Sequence, residues 1–483
     1  VRVTQAYRFA LDPSPAQERK LASHCGARRF AYNWGLGLVK QRLDQRDRIR
    51  RAALSEQLAD SEVEALARTV VVPWTLAALR REWNAAKGEV APWWAENSKE
   101  AASSGLDALA RALEAWSDSR HGKRQGPRVG FPRFKRRGRG RQSYRYTTGS
   151  FGISGRARVQ LPRVGHVRTH EPTTKLVGRI EDGRARVLSS TVCRENGRWF
   201  CSICCEIQRT DEPARSEDVV GVDVGIKHLA VLSTGELIAN PRALSVAQRR
   251  LRRYQRKLDR QRRANNPGCY DDRGRAINGR RPIQHSHRQA RTERRVARLH
   301  ARARNVRQDA IHKLTGGLAA QHQTVVVEKL NARGLCRGGN RGLRRALHDA
   351  SLAEIRRQLA YKTLWRGGTL IEAPSLYPSS KTCSGCGTAK AKLPLSERTY
   401  RCEHCGLILD RDLNAARNLA AIAESVAPSG GETINARSRP PTRERTQNPC
   451  QTRPFSRAVG RPRSPHHQPV GQTGTAPEQS EAA

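Results

Sequence analysis

Apolar and polar positions alternate through VRVTQAYRFAL at the start of the chain. Val1, Val3, Tyr7, Phe9 and Leu11 are separated by polar or small residues, a period of two that predicts a strand. The period then lengthens. From Pro13 to Leu43 the residues Leu21, Cys25, Phe30, Trp34 and Leu38 fall near helical spacing behind Ser14, which predicts an N-capped helix. Further helical patterns, TLAALRREWNAAK and SGLDALARALEAW, reach about Trp116, so residues 14–127 are expected to form a helical module. From Arg128 to Ile207 short strands and turns return (FGISGRARVQLPRVGHV, ARVLSSTVCREN, RWFCSICCEI), as expected for a small β-barrel or sandwich. Its first strand precedes the helices. Residues 1–13 and 128–214 are therefore expected to form one β domain with the helical module inserted in it.

In RSEDVVGVDVGIKHLAVLSTGE, Arg215 to Glu236, two apolar runs bracket a Gly-containing turn and predict paired strands, with Asp223 in the first. A carboxylate in an apolar strand is costly unless it is solvated at one end, paired or bound to a metal; a strand-end Asp facing solvent is the plainer alternative. Leu244, Ala247, Leu251, Tyr254 and Leu258, and again Val296, Leu299, Ala303, Val306 and Ala310, recur at three- and four-residue intervals. They predict a helical hairpin over 244–318 with narrow apolar seams. The connecting segment, Asn265 to Pro282, is turn-rich and is expected to be mobile. HQTVVVEKLN repeats the earlier logic, a β-branched strand ending in Glu328; one basic helix, Gly342 to Gly367, and a strand in GTLIEAP follow. Strands alternating with crossover helices indicate an α/β layer.

Charge narrows the partners. The chain has 483 residues, with 90 Lys and Arg against 44 Asp and Glu, a formal net charge of +46. Such an excess implies a polyanion, and its spread from Arg124 to Arg463 favours nucleic acid over a membrane surface. No apolar run of about 18 residues is available to span a bilayer, and the opening strand does not read as a signal peptide, so a cytoplasmic location is expected. The hairpin's outer faces are dense in arginine, including Arg252, Arg253, Arg256, Arg294, Arg295 and Arg298. Like charges at such spacing destabilise a helix unless a counterion such as phosphate lies against them.

Of the 12 cysteines, Cys383, Cys386, Cys402 and Cys405 form two CxxC pairs separated by 15 residues. Two such knuckles allow four thiolates to converge on tetrahedral Zn²⁺, and a four-sulfur site leaves no open position, so its role is structural. Cys201 and Cys204 share the short spacing but lie in an apolar strand without a second pair, and are expected to be core. The second knuckle runs directly into DRDLNAARNLAAIAESV, a helix that Asp410 can cap, with Asp412 in its first turn. Asp223, Glu328 and Asp412 in one α/β unit could together hold two Mg²⁺ or Mn²⁺ ions for phosphodiester hydrolysis.

GVDVGIKHLAVLSTGE, VVVEKLN, YPSSKTCSGCG and CEHCGLILDRDLNAARNL resemble the three RuvC motifs and zinc ribbon of the transposon-associated TnpB (OrfB) family and of its descendants, the compact type V CRISPR effectors. The likeness extends upstream through AYRFALDPSPAQ, FAYNW, PWWAENSKEA and GFPRFK, covering roughly residues 5 to 427. The resemblance implies an α/β RNase H-like (RuvC) nuclease domain at 215–380 and 407–427, with a zinc ribbon at 381–406 that contacts target nucleic acid. It also implies a β-barrel wedge domain carrying an inserted helical recognition module. The activity implied is RNA-guided cleavage of DNA, with guide RNA and target DNA as partners. Carried over by motif, Asp223, Glu328 and Asp412 are the catalytic acids, since the third acid of the family is the Asp followed by x-Asn; Asp410 is then the cap.

A short motif in duplex DNA is expected to be read by the N-terminal half. There GPRVGFPRFKRRGRGRQSYRYTTGSF offers Arg133, Lys135, Arg136 and Arg137 for phosphates and Phe134, Tyr144 and Tyr146 for stacking, the alternative being a flexible basic linker. The segment from Asn265 to His285 is longer than the family's usual hairpin tip, and the basic tail, 428–483, is poor in apolar residues and expected to be disordered. CRISPR effector and transposon TnpB share these motifs. A binding-only regulator with a dormant nuclease centre is the alternative of a different class.

Overall fold

The computed structural model describes residues 2–426 except 139, 150, 210–211, 280–281, 376 and 395; the expected disordered tail lies outside the described residues. The opening alternation forms β1 (Arg2–Asp12). Ser14 then starts α1 (Pro15–Ser55) with a reciprocal capping box: its hydroxyl accepts from Gln17 N at 3.3 Å, and the Gln17 carboxamide oxygen accepts from Ser14 N at 3.0 Å. α2 (Asp60–Arg68), α3 (Leu76–Val90), a 3₁₀ turn (Pro92–Glu96) and α4 (Lys99–Arg120) complete the helical module. Its core gathers Ala31, Tyr32, Leu36, Leu79, Trp83, Leu106 and Leu109, with Phe30 and Trp34 edge-on to Trp83.

The chain then returns to the sheet that β1 began. β2 (Gln142–Tyr146), β3 (Gly152–Ile153), β4 (Arg158–Leu161), β5 (Gly165–Thr169), α5 (Thr174–Glu181), β6 (Ala185–Glu195) and β7 (Arg198–Gln208) give a seven-stranded sheet in the order β2-β6-β7-β1-β5-β4-β3. β1 sits between β7 and β5, antiparallel to both, as an inserted helical module requires. The expected barrel does not close among the described residues. β2 pairs with β6 and the two-residue β3 with β4, and the two outer strands share no ladder. Phe9, Tyr144, Tyr146, Trp199, Cys201 and Ile203 fill one core on this sheet, so Cys201 is packing, as expected, whereas Cys204, an odd number of residues further along β7, faces the other side and is only half-buried.

The remaining elements form an α/β unit. β8 (Ser216–Asp223), β9 (His228–Leu232) and β10 (Leu237–Ala239) are an antiparallel set, and β11 (His322–Val327) and β12 (Thr369–Glu372) add to β8 in parallel, giving the order β10-β9-β8-β11-β12. α6 (Ala243–Asn265) and α7 (His287–Gln321) pack together as the expected hairpin. Between β11 and β12 come α8 (Ala332–Gly338), α9 (Arg341–Ala350) and α10 (Leu352–Trp365). The single basic helix expected at 342–367 is thus two helices, because Ser351 takes a left-handed conformation at φ 53° and breaks it. β13 (Thr399–Arg401) and β14 (Ile408–Asp410) form a two-stranded ribbon leading into α11 (Arg411–Val426). Val325 and Val327 face a core with Ile311, Leu314, Ile355 and Leu359, while Val326 faces Leu419 and Ile422 of α11. The unbroken VVV run therefore means burial on both faces of a parallel strand.

Candidate active site

β8 and β11 run parallel with Val222 opposite Val327, so the next residues, Asp223 and Glu328, emerge side by side at the C-terminal ends of these central strands. Two strand ends supply two carboxylates. The third comes from α11, which lies against β8 at Gly221: a Cβ there would overlap the carbonyl oxygen of Ala416 and crowd the amide nitrogen of Ala420. That backbone contact sets Asp412, one turn before Ala416, close enough to Asp223 to perturb it. Burial raises the Asp223 carboxyl, and the charges of Asp412 and then Glu328 raise it further, to about 7; Arg411 opposes the shift. Burial also raises Glu328. Asp223, half-buried and repelled by two neighbouring half-buried acids, gives with Glu328 and Asp412 a set of hard carboxylate oxygens of the kind that suits a divalent cation.

Asp410 separates cleanly from its neighbour. Its Oδ1 accepts from Asp412 N at 2.9 Å and from Leu413 N at 3.3 Å, the helix-capping geometry expected of it. Asp412 keeps its carboxylate free of that duty and has Arg398 Nη1 at 3.9 Å.

The four cysteines converge. Their sulfurs all lie within 4.8 Å of one another, with Cys383 and Cys405 at 3.6 Å and Cys386 and Cys402 at 3.5 Å. A tetrahedron of Zn–S bonds of about 2.3 Å has sulfur–sulfur edges of about 3.8 Å, so these residues fit zinc. Backbone amides of Gly385 and Cys405 donate to the sulfurs of Cys383 and Cys402, as suits thiolates. The cluster is fastened to the acid-bearing helix by two amides that the sequence reading missed. Asn414 and Asn418, both buried, donate to Thr382 O at 2.7 Å; Asn418 also donates to Ser379 O at 2.7 Å, and Asn414 accepts from Ser384 N at 2.9 Å. Two asparagines four apart on an otherwise apolar helix face were the available signal.

The expected nucleic-acid residues divide. Arg252, Arg253, Arg256, Arg294, Arg295 and Arg298 are exposed on the hairpin, and Arg133, Phe134, Arg136 and Arg137 are exposed on the loop before β2. Tyr144 and Tyr146 are not available for stacking. They are 1% and 0% exposed, packed edge-on to each other in the sheet core, because the period of two in QSYRY turns both rings inward. Lys135 is turned in as well: Asn33 brackets its backbone at 2.8 and 2.9 Å, and its amine lies 3.4 Å over the Tyr32 ring. Burial lowers this amine to about 7. A cleft of about 340 Å³ that the sequence reading passed over lies instead between the helices, lined by Arg80, Trp83, Lys87, Trp93, Trp94 and Lys99. Thr147 and Thr148 close one side, held by Glu100 through hydrogen bonds of 2.6 to 2.9 Å.

Known proteins bear on this geometry. The family model OrfB IS605, described as probable transposase, matches residues 202–337, and a Cas12f1-like TNB domain model matches 353–419. A model described as a helix-turn-helix domain matches 3–48, where the structure has β1 and most of α1. A Mycobacterium tuberculosis H37Rv protein with the provisional name RNA-guided DNA endonuclease Rv2885c is 36% identical over 479 residues, covering 95% of each chain. InsQ of Escherichia coli K12, provisionally named likewise, is 28% identical over 441 residues, covering 88% of this chain and 94% of its own. A chain in the cryo-EM structure of a Cas12f1–sgRNA–target DNA complex overlaps 87% of this chain and 99% of its own, with a TM-score of 0.43 at 14% identity.

Proposed function

This chain belongs to the TnpB-like (OrfB) family of RNA-guided DNA endonucleases, and from that premise we propose that it binds a guide RNA and hydrolyses DNA at Asp223, Glu328 and Asp412. The observation that carries the reading is the in-register emergence of Asp223 and Glu328 from parallel strands, with the Asp412 helix pressed onto the same strand at Gly221. The mixed sheet, three antiparallel strands followed by two parallel ones, supports a RuvC-type, RNase H-like fold for residues 215–380 and 407–427.

Mg²⁺ or Mn²⁺, two per site, would activate the attacking water and stabilise the leaving oxygen. The chain's own part is to hold three acids with fixed spacing. Asp223 and Glu328 stand on adjacent strand ends whose separation the ladder fixes, and the buried β8–α11 contact keeps Asp412 from drifting. The zinc ribbon at 381–406 steadies the start of α11 through Asn414 and Asn418.

Guide pairing reads most of the target in this proposal, and the protein reads a short duplex motif. The cleft of Arg80, Lys87, Lys99, Trp93 and Trp94 is our candidate reader, since it combines cations with aromatic walls within the helical module, 14–127, closed on one side by Thr147 and Thr148. Among the described residues no helix is long and apolar enough to cross a membrane. Full-length similarity to TnpB-type relatives favours a transposon setting over a CRISPR one. Purified chain with its own guide RNA and Mg²⁺ should cut matched DNA, while Asp223→Ala and Asp412→Ala bind it uncut. Matched binding by wild type without cleavage would instead establish the dormant regulator.

A further inference from the structure

The described residues at the tip of the α6–α7 hairpin, the turn-rich segment of the sequence, fold into a compact knot. Asn266, 8% exposed, holds it with one side chain: its Oδ1 accepts from Ile283 N at 2.9 Å and Gln284 N at 2.8 Å, and its Nδ2 donates to Arg262 O at 3.2 Å and Gln284 O at 2.9 Å. Asn265 ties the end of α6 to the start of α7, donating to Ser286 Oγ at 3.0 Å and to Gln289 Oε1 at 2.8 Å. Behind them Glu293 draws together Arg262, His285 and Gln289 at 2.8 to 3.2 Å.

From this base a small turn projects. Tyr270 bridges Ala276, Ile277 N donates to Cys269 O at 3.0 Å, and Asp271 accepts from Arg275 N at 2.7 Å. Gly274, at φ 70°, closes the turn over the Arg263 side chain in a left-handed conformation that favours glycine. Arg273 and Arg275 consequently flank the bend and are exposed.

Two further observations indicate what this element faces. Between Arg252 and His300 the chain carries 16 Lys and Arg against 4 Asp and Glu, and two of those acids, Asp271 and Glu293, are occupied within the knot. α7 pairs with α9 through Arg307 and Asp349 at 3.6 Å, and the 20 residues from there back to His287 make about 30 Å of helix. The knot therefore stands at the outer end of a long cationic arm, while the proposed cutting site lies at the end of β8 and β11.

We propose that this knot is a preformed docking element for a double-stranded stem of the guide RNA, with Arg273 and Arg275 on its phosphates and the Asn266 framework setting their spacing. The inference rests on the guide-RNA reading above. A folded end is wasted on a flexible polyanion but suits a rigid one: an RNA stem presents phosphates at fixed separations, and proteins recognise it by shape and backbone. DNA that must pass to the carboxylates has less need of a contact so far out along the arm, whereas a guide retained through successive cuts gains from it.

The test uses the full chain. RNA copurifying with wild type is sequenced, transcribed as the probe, and compared with a 30-base-pair DNA duplex in binding titrations over a range of salt. Arg273→Ala/Arg275→Ala should weaken RNA binding about tenfold and lower the salt slope by about 1.8, as loss of two duplex phosphate contacts requires, with DNA-duplex binding unchanged. Asn266→Ala, which keeps every charge, should weaken RNA binding several-fold with helix content preserved by circular dichroism. Unchanged RNA affinity and slope in the double variant would overturn the proposal, as would a larger loss on DNA than on RNA. Failure of wild type to retain any RNA would overturn the guide-RNA reading itself, and this inference with it.

Discussion

Gly221 on β8 and Ala416 on α11 touch backbone to backbone, and the contact leaves no room for even a methyl group on the strand. Strand and helix each carry an acid two to four residues away, Asp223 and Asp412, so the spacing of the site depends on a missing side chain. Gly221→Ala is expected to push α11 outward and to cost about 1–3 kcal/mol, the usual penalty for overpacking. Urea unfolding would show the loss, and cleavage should fall far more than guide-RNA binding.

The adjacent acids Asp410 and Asp412 are expected to respond differently. Asp412→Ala should abolish cleavage and leave stability unchanged or improved, because it removes a charge that repels Asp223. Asp410→Ala removes the acceptor for Asp412 N and Leu413 N and should cost about 1 kcal/mol with cleavage retained; Asp410→Asn should restore the cap. Thermal melts and single-turnover cleavage separate the two residues.

Zinc should be present at one per chain by elemental measurement, and Cys402→Ser should lower it towards zero. Because the ribbon holds the start of α11, the variant is expected to lose cleavage although four sulfurs on one ion leave no coordination position for substrate. Asn418→Ala tests the link without touching the metal. It removes the donor to Ser379 O and Thr382 O, should cost about 1–3 kcal/mol, and should reduce the cleavage rate with zinc content intact.

Lys135 gives a pH signature. Its folded value, about 7, lies below the ordinary 10.5, chiefly through burial and then through Arg28. Between those values the unfolded chain carries a proton that the folded chain lacks, so this residue's contribution to stability improves as pH rises from about 7 to about 10 and is least favourable below 7. Lys135→Met should therefore stabilise the protein by about 2 kcal/mol at pH 6, after allowance for solvent at the half-buried amine, and by little at pH 10. Parallel urea melts at the two pH values give the comparison.

Several features were legible in the chain alone. The N-cap at Ser14, the β-branched VVV strand, the CxxC pairs and the capping position of Asp410 all arise within a few residues of one another. Local chemistry is enough to read them. Tyr144 and Tyr146 show the limit: an aromatic pair beside arginines suits stacking on bases, but strand alternation with a buried face turned both rings into the core. Lys135 followed the same course once Tyr32 and Asn33 arrived from α1.

What the sequence determined by itself was therefore the inventory: the elements, their caps, the four thiolates, the candidate acids and the need for a polyanion, all of which follow from local periodicity, spacing and charge. The tertiary structure decided which of these meet. It brought Asp223, Glu328 and Asp412 together across nearly two hundred residues through a parallel register and the Gly221 contact, and it anchored the ribbon by Asn414 and Asn418. It also left the seven-stranded sheet open, broke a helix at Ser351 and folded the hairpin tip around Asn266. Each outcome depends on a partner distant along the chain, and a one-dimensional pattern records which residues seek burial or pairing but not which partner satisfies them.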